Sequence, residues 1–226
     1  MPGLHVGLHL VVIEGPAVSP SPIAPEGHFA SDQLRLGIDY FFRPKARRCL
    51  RAEIAAQFAA FAATGLPLDH ANAHKHMHLH PTVGRLMIEE GRRHGLKAIR
   101  IPSEPPDVLR QWEGPPSLGT RALYQWTHLL RRQARQAGLV TNDHVFGLAW
   151  SGHMTADRVV KLLKQMPPGL SEIYFHPATE ADATIRALMP DYEHAAELAA
   201  LQDPSVRETL LGAGLQQTSW LGGNAS

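Results

Sequence analysis

Long apolar runs alternate along this chain with stretches that are apolar only at every third or fourth position. Residues 4–13 (LHVGLHLVVI) form a continuous apolar run and predict a buried strand. Residues 15–32 hold four prolines and predict a long loop, and loops of that length inside a compact domain are usually functional. From 44 to 64, Leu50, Ile54, Phe58 and Phe61 share one helical stripe, and Gly65 with Pro67 ends it. A second helix opens at Pro81 or Thr82 and stops near Gly95; a third covers about 119–136; a fourth follows Thr155 as N-cap. Asp203-Pro204 opens a last helix. Further short strands are predicted at 98–102, 145–149, 172–175 and 216–220. Strands alternating with helices of this length predict an α/β fold with a mainly parallel sheet and outer helices, either open or a barrel, and 226 residues make one large domain or two small ones.

Composition narrows the function classes. Lys plus Arg number 22 against 21 Asp plus Glu, so the net charge gives no footprint for nucleic acid. The single Cys49 excludes an intrachain disulfide and a zinc site built from cysteines. The sequence shows no charged leader and no apolar run long enough to span a bilayer, so a cytoplasmic protein without a transmembrane segment is expected.

The chemistry concentrates in histidine. His74, His76, His78 and His80 stand at every second position before Pro81. If that stretch were a strand, all four rings would face one way. Neutral imidazole is the commonest metal ligand and a competent acid or base near neutral pH. A strand presents only one or two side chains to a given point, so the others would contact substrate or support the ligands. His9 lies late in the first strand, Arg100 in another, Trp150 follows a third, and His176 follows Phe175. In parallel α/β folds the active site gathers at the carboxyl ends of the strands. Trp150 is equally a core residue or a stacking platform for a sugar. The phosphate loops of nucleotide-binding proteins and the Gly-Xaa-Ser-Xaa-Gly elbow of serine hydrolases are absent from the sequence. Metal-assisted hydrolysis is the class best supplied with groups.

Three motifs, Gly7-Leu8-His9-Leu10, Asn72-Ala73-His74-Lys75-His76-Met77-His78-Leu79-His80-Pro81 and Tyr174-Phe175-His176-Pro177-Ala178, resemble those of the YdjC-type carbohydrate deacetylases, the group that includes chitooligosaccharide deacetylase. Details such as Arg100-Ile101-Pro102-Ser103-Glu104-Pro105 look most like its hopanoid biosynthesis-associated branch. The resemblance implies a single domain over residues 1–226, a distorted β/α barrel around one divalent ion, Mg or Zn, with His9 and His74 as metal ligands and His176 as the catalytic histidine. Arg100, His76 and Trp150 are the candidate substrate contacts. The implied reaction removes acetyl from an N-acetylated amino sugar, free or carried on a hopanoid glycolipid, with a homo-oligomer as the candidate assembly.

The family pattern also includes an Ala-Asp-Asp-Phe-Gly strand end upstream of the Gly-Leu-His-Leu motif, whose aspartates serve as ligand and base. Only eight residues precede His9 here. The expectation is a barrel lacking its first strand or strands, and the alternative function is a catalytically impaired sugar- or metal-binding homologue. Glu104 and Asp32 are the two carboxylates considered as replacements.

Overall fold

The computed structural model describes residues 4–180 and 182–222. The chain divides into two compact units. One comprises Met1–Ile101, Gln125–Thr141 and Thr218–Ser226; the other comprises Pro102–Tyr124 and Asn142–Gln217.

The first unit is a parallel α/β layer. Strands β1 (Val6–Leu10), β2 (Leu68–Ala73), β3 (Ala98–Ile99) and β4 (Val140–Thr141) lie side by side in chain order. His9 pairs with Asn72, Leu10 with Ala73, Ala71 with Ile99 and Ala98 with Val140, all parallel. Helices α1 (Gln33–Phe42) and α2 (Pro44–Ala63) connect β1 to β2, and α3 (Pro81–Arg93) connects β2 to β3. Helix α2 buries Leu50, Ile54 and Phe58, the stripe the periodicity predicts. Phe61 falls toward the solvent end of that stripe and is only half-buried. These side chains pack with Leu10, Val12, Ile13, Val83, Leu86, Met87 and Ile99 in one core. Tyr40 of α1 is buried there, and its hydroxyl donates to the Val12 carbonyl at 2.8 Å.

In the second unit β5 (His144–Phe146) and β6 (Ser171–Ile173) form a parallel pair. Helices α4 (Pro106–Glu113), α6 (Ala156–Leu163), α7 (Ala183–Leu188), α8 (His194–Gln202) and α9 (Pro204–Gly212) belong to it, and helix α5 (Leu118–Gln136) begins in this unit and ends in the first. Its core holds Leu109, Phe146, Trp150, Met154, Val159, Leu162 and Leu163.

Three local expectations change. The histidine run is not a strand. β2 ends at Ala73, and residues His74–Leu79 form a 3₁₀ turn with Lys75 and His76 in the left-handed region, at φ of 48° and 54°. Period-two spacing of histidines therefore does not place four rings on one face. Strand β1 is shorter than the apolar run that predicts it, because the chain bends after Leu10 while Val12 and Ile13 remain buried. Residues 216–220 form no regular strand.

Candidate functional site

Adjacent parallel strands deliver the first group of side chains. The register that pairs His9 with Asn72 sets His74 just beyond the end of β2, so both imidazoles emerge at the carboxyl end of the sheet. Their ring centroids lie 5.7 Å apart with the planes at 76°. His9 Nδ1 donates to the Asn72 side-chain oxygen at 2.5 Å. An amide oxygen only accepts, so the proton sits on Nδ1 and the Nε2 lone pair is left for a metal or a proton. Partial burial lowers the pKa of His9 in spite of the Asn72 hydrogen bond, and the nearby positive charge of Arg100 pushes it the same way. His74 is also held below its ordinary value, first by burial and then by repulsion from His9 and Lys75. Both rings are thus neutral near pH 7, the form that ligates metals.

A carboxylate absent from the sequence reading stands beside them. Glu14 Oε2 is 3.9 Å from His74 Nε2 and forms an ion pair with the Lys75 ammonium. Glu14 is itself in the left-handed region at φ 50°. Among the described residues, three of the four non-glycine residues with positive φ (Glu14, Lys75 and His76) therefore sit in this neighbourhood. Each such conformation costs on the order of 1–3 kcal/mol, and residues of this kind cluster at functional sites. Glu14 does not stand out in the sequence because it follows the apolar run directly, at the edge of the Pro-rich loop.

The other candidates separate by role. His78 is fully buried and its Nε2 donates to the Arg100 carbonyl at 2.9 Å, so it braces the turn. Burial lowers its pKa to about 3. His80 packs edge-on against Tyr40 and Phe41. His76 remains half-exposed in the turn, its ring 6.2 Å from that of His78. Arg100 is near enough to His9 and His78 for its charge to act on both.

The two carboxylates considered as replacements are engaged elsewhere. Glu104 accepts the backbone N–H groups of Gly147, Leu148 and Ala149 at 2.8, 3.0 and 2.8 Å, clamping the loop after β5. Asp32 caps α1 by accepting from the Arg35 N–H at 3.0 Å. Among the described residues, no three His, Cys, Asp or Glu side chains converge in a geometry that would hold an ion. The donor chemistry at His9 and His74 suits a divalent ion, but it amounts to two protein ligands with a carboxylate nearby.

His176 lies in the second unit, after β6. Its ring meets those of Tyr174 and Tyr192 at centroid distances of 5.5 and 5.0 Å. The fully buried Glu197 of α8 accepts from the His176 backbone N–H and, through its other oxygen, from the Met154 N–H at 3.1 Å. His194 Nδ1 donates to the His176 carbonyl at 2.5 Å. One helix therefore fixes the backbone of the His-Pro-Ala segment from both sides. Tyr192 lies so close over Gly152 that a Cβ there would enter its ring, and its hydroxyl meets Ser151 Oγ at 2.8 Å. Neither Glu197 nor Tyr192 was legible in the sequence, since both sit in weakly patterned helix or loop.

Trp150 takes the core alternative. It is buried, its Nε1 donates to Glu113, and its ring is covered by Arg158 at 5.1 Å and Trp112 at 5.7 Å. No open face remains for a sugar to stack on, which corrects its expected place among the substrate contacts.

Comparison with known proteins adds four findings. The family described as YdjC-like protein matches residues 1–211. A carbohydrate deacetylase of Brevibacillus brevis is 26% identical over 188 residues, covering 81% of this chain and 64% of that protein, so the chain spans less than two thirds of this relative's length. A carbohydrate deacetylase of Mus musculus is 28% identical over 247 residues, 94% of this chain and 76% of that protein. The crystal structure of an Enterococcus faecalis V583 protein, described as a cellobiose-phosphate cleavage protein, superposes with a TM-score of 0.69 at 19% identity, covering 98% of this chain and 79% of that one. At that identity the likeness is one of fold.

Proposed function

The chain belongs to the YdjC-like family, and from that premise we propose that it is a metal-dependent hydrolase that removes the acetyl group from an N-acetylated amino sugar. The observation that carries the proposal is the pairing of neutral His9 and His74 at the ends of adjacent parallel strands, with Asn72 fixing the tautomer of His9. The names of the two deacetylase relatives supply the reaction class.

In this reading His9 and His74 hold one divalent ion, Mg or Zn. When bound, such an ion polarises the amide carbonyl and lowers the pKa of a water to about 7. The chain's own residues do the rest. Asn72 orients the His9 ring, and hydrogen bonds of this kind typically alter metal affinity by about 10–100-fold. Glu14 is the carboxylate placed near the pair, and its ion pair with Lys75 fixes its position. Arg100 supplies positive potential for the negative charge that develops on the substrate, and His76 of the turn is a proposed substrate contact. His176 is the proposed catalytic histidine of the His-Pro-Ala segment, and Glu197 and His194 hold its backbone. A distorted β/α barrel lacking its first strand or strands, a glycolipid aglycone and a homo-oligomer belong to the same proposal.

One observation favours a second reading, a sugar- or metal-binding homologue with impaired catalysis: no third protein ligand converges with His9 and His74 among the described residues. Acetate release separates the two. The purified chain is incubated with N-acetylglucosamine oligomers, with and without Mg or Zn. Metal-stimulated release of acetate supports hydrolysis. Sugar or metal binding without any acetate supports the second reading.

A further inference from the structure

We propose that the first unit docks on an anionic phospholipid surface through the outer faces of α1 and the second half of α5. The argument begins with α1. Its inner face is satisfied by Leu36 and Tyr40. Its outer face nevertheless carries Leu34, Ile38, Phe41 and Phe42, at the i, i+4, i+7, i+8 spacing of a single stripe. Leu34 is 76% exposed and Phe42 70% exposed. Scattered apolar residues on a surface need no explanation, but a contiguous stripe does.

Helix α5 extends the patch. Trp126 and Leu129 are 44% and 51% exposed. The Trp126 indole N–H donates to the Leu79 carbonyl at 2.9 Å, while the Phe41 ring lies 6.1 Å from that of His80. Leu79 and His80 are consecutive, so the two helices bring their apolar faces to one seam.

Charge identifies the partner. Residues 33–48 and 125–136 contain eight Lys or Arg and one acid, Asp39, in a chain whose totals are 22 and 21. Asp39 is itself paired with Arg43 at 3.0 Å. On α5, His128, Arg131, Arg132, Arg135 and Gln136 line an open cleft of about 460 Å³ whose donors suit phosphate oxygens. Aromatic and leucine side chains on convex helix faces, with cations around them, match the way peripheral helices lie in a headgroup layer. A protein interface core is instead depleted in charge. The near-zero net charge of the whole chain conceals this local asymmetry. The inference goes beyond the proposed hydrolysis and does not depend on it, since its readout is binding.

The test is cosedimentation of the full chain with vesicles of phosphatidylcholine alone or mixed with phosphatidylglycerol, at low and high salt. The chain should sediment with the anionic vesicles only, and salt should release it. Each cation near an anionic leaflet contributes about fivefold to partitioning, so Arg43→Ala/Lys45→Ala/Arg48→Ala should weaken it by on the order of a hundredfold. Leu34→Ser/Phe42→Ser should also release the chain, with an unchanged circular dichroism spectrum because both positions are exposed. Inorganic phosphate should compete poorly, since it lacks the apolar contact. No sedimentation with anionic vesicles, or equal sedimentation of both variants, overturns the proposal. So does a wild-type dimer that Phe42→Ser converts to monomer without any vesicle binding, which would assign the face to a second copy of the chain.

Discussion

At the scale of single residues, hydrogen-bond partners set the chemistry more than residue type does. Of the four histidines in the run, only His74 pairs with His9, while His78 and His80 are bound into the turn and the packing. Asn72 gives a direct test. Asn72→Ala frees the His9 ring, and metal affinity should fall by about 10–100-fold while acid unfolding is little changed. Titration calorimetry measures the first quantity. Glu197 makes a contrasting prediction, because it is fully buried and accepts two backbone N–H groups. Glu197→Ala strands both donors and should lower stability by about 2–5 kcal/mol in urea unfolding. Glu197→Gln keeps one acceptor and should lose less. His9, His74 and His176 could be read as candidates from the sequence because imidazoles after apolar runs stand out. The sequence hid Glu14 and Glu197 because a carboxylate in a loop or helix looks like any solvated acid until its neighbours are known.

At the scale of elements, the turn His74–Leu79 does the positioning that a strand was expected to do. Alternation of histidine with Lys, Met and Leu mimics a strand's period, but two left-handed residues reverse the chain instead. The fully buried His78 locks this turn to β3 through the Arg100 carbonyl. Its pKa is about 3 in the fold against an ordinary 6.5, chiefly through burial. Between those values the unfolded chain binds a proton that the folded chain refuses, so stability falls as pH drops from 6.5 toward 3. Urea unfolding across that window should show the loss, and His78→Gln should flatten the slope while lowering stability at pH 7. Gly84 of α3 tests the packing behind the turn. A Cβ there would lie 2.5 Å from the His78 carbonyl oxygen and 2.9 Å from Leu130. Gly84→Ala should therefore destabilise the protein by about 1–3 kcal/mol, although alanine is the better helix former. Helix α1 went unread in the sequence because apolar residues on both of its faces erase the amphipathic contrast that marks a helix.

At the scale of the molecule, alternation of strand and helix announced parallel α/β structure, and that is what both units contain. Division into two units was not visible, since α5 runs through the boundary at Tyr124 and Gln125 without any break in its pattern. No helix among the described residues is long and apolar enough to cross a membrane. Charge, balanced in total, is concentrated locally, which no chain-wide sum could reveal. The functional account rests on two imidazoles meeting at the end of one sheet. Calorimetric titration of Zn into the wild type, His74→Ala and the double variant His9→Ala/His74→Ala tests this most directly. The account predicts one ion per chain in the wild type, binding at least tenfold weaker in His74→Ala and abolished in the double variant, with all three chains equally folded. Undiminished Zn binding by a folded double variant would contradict it.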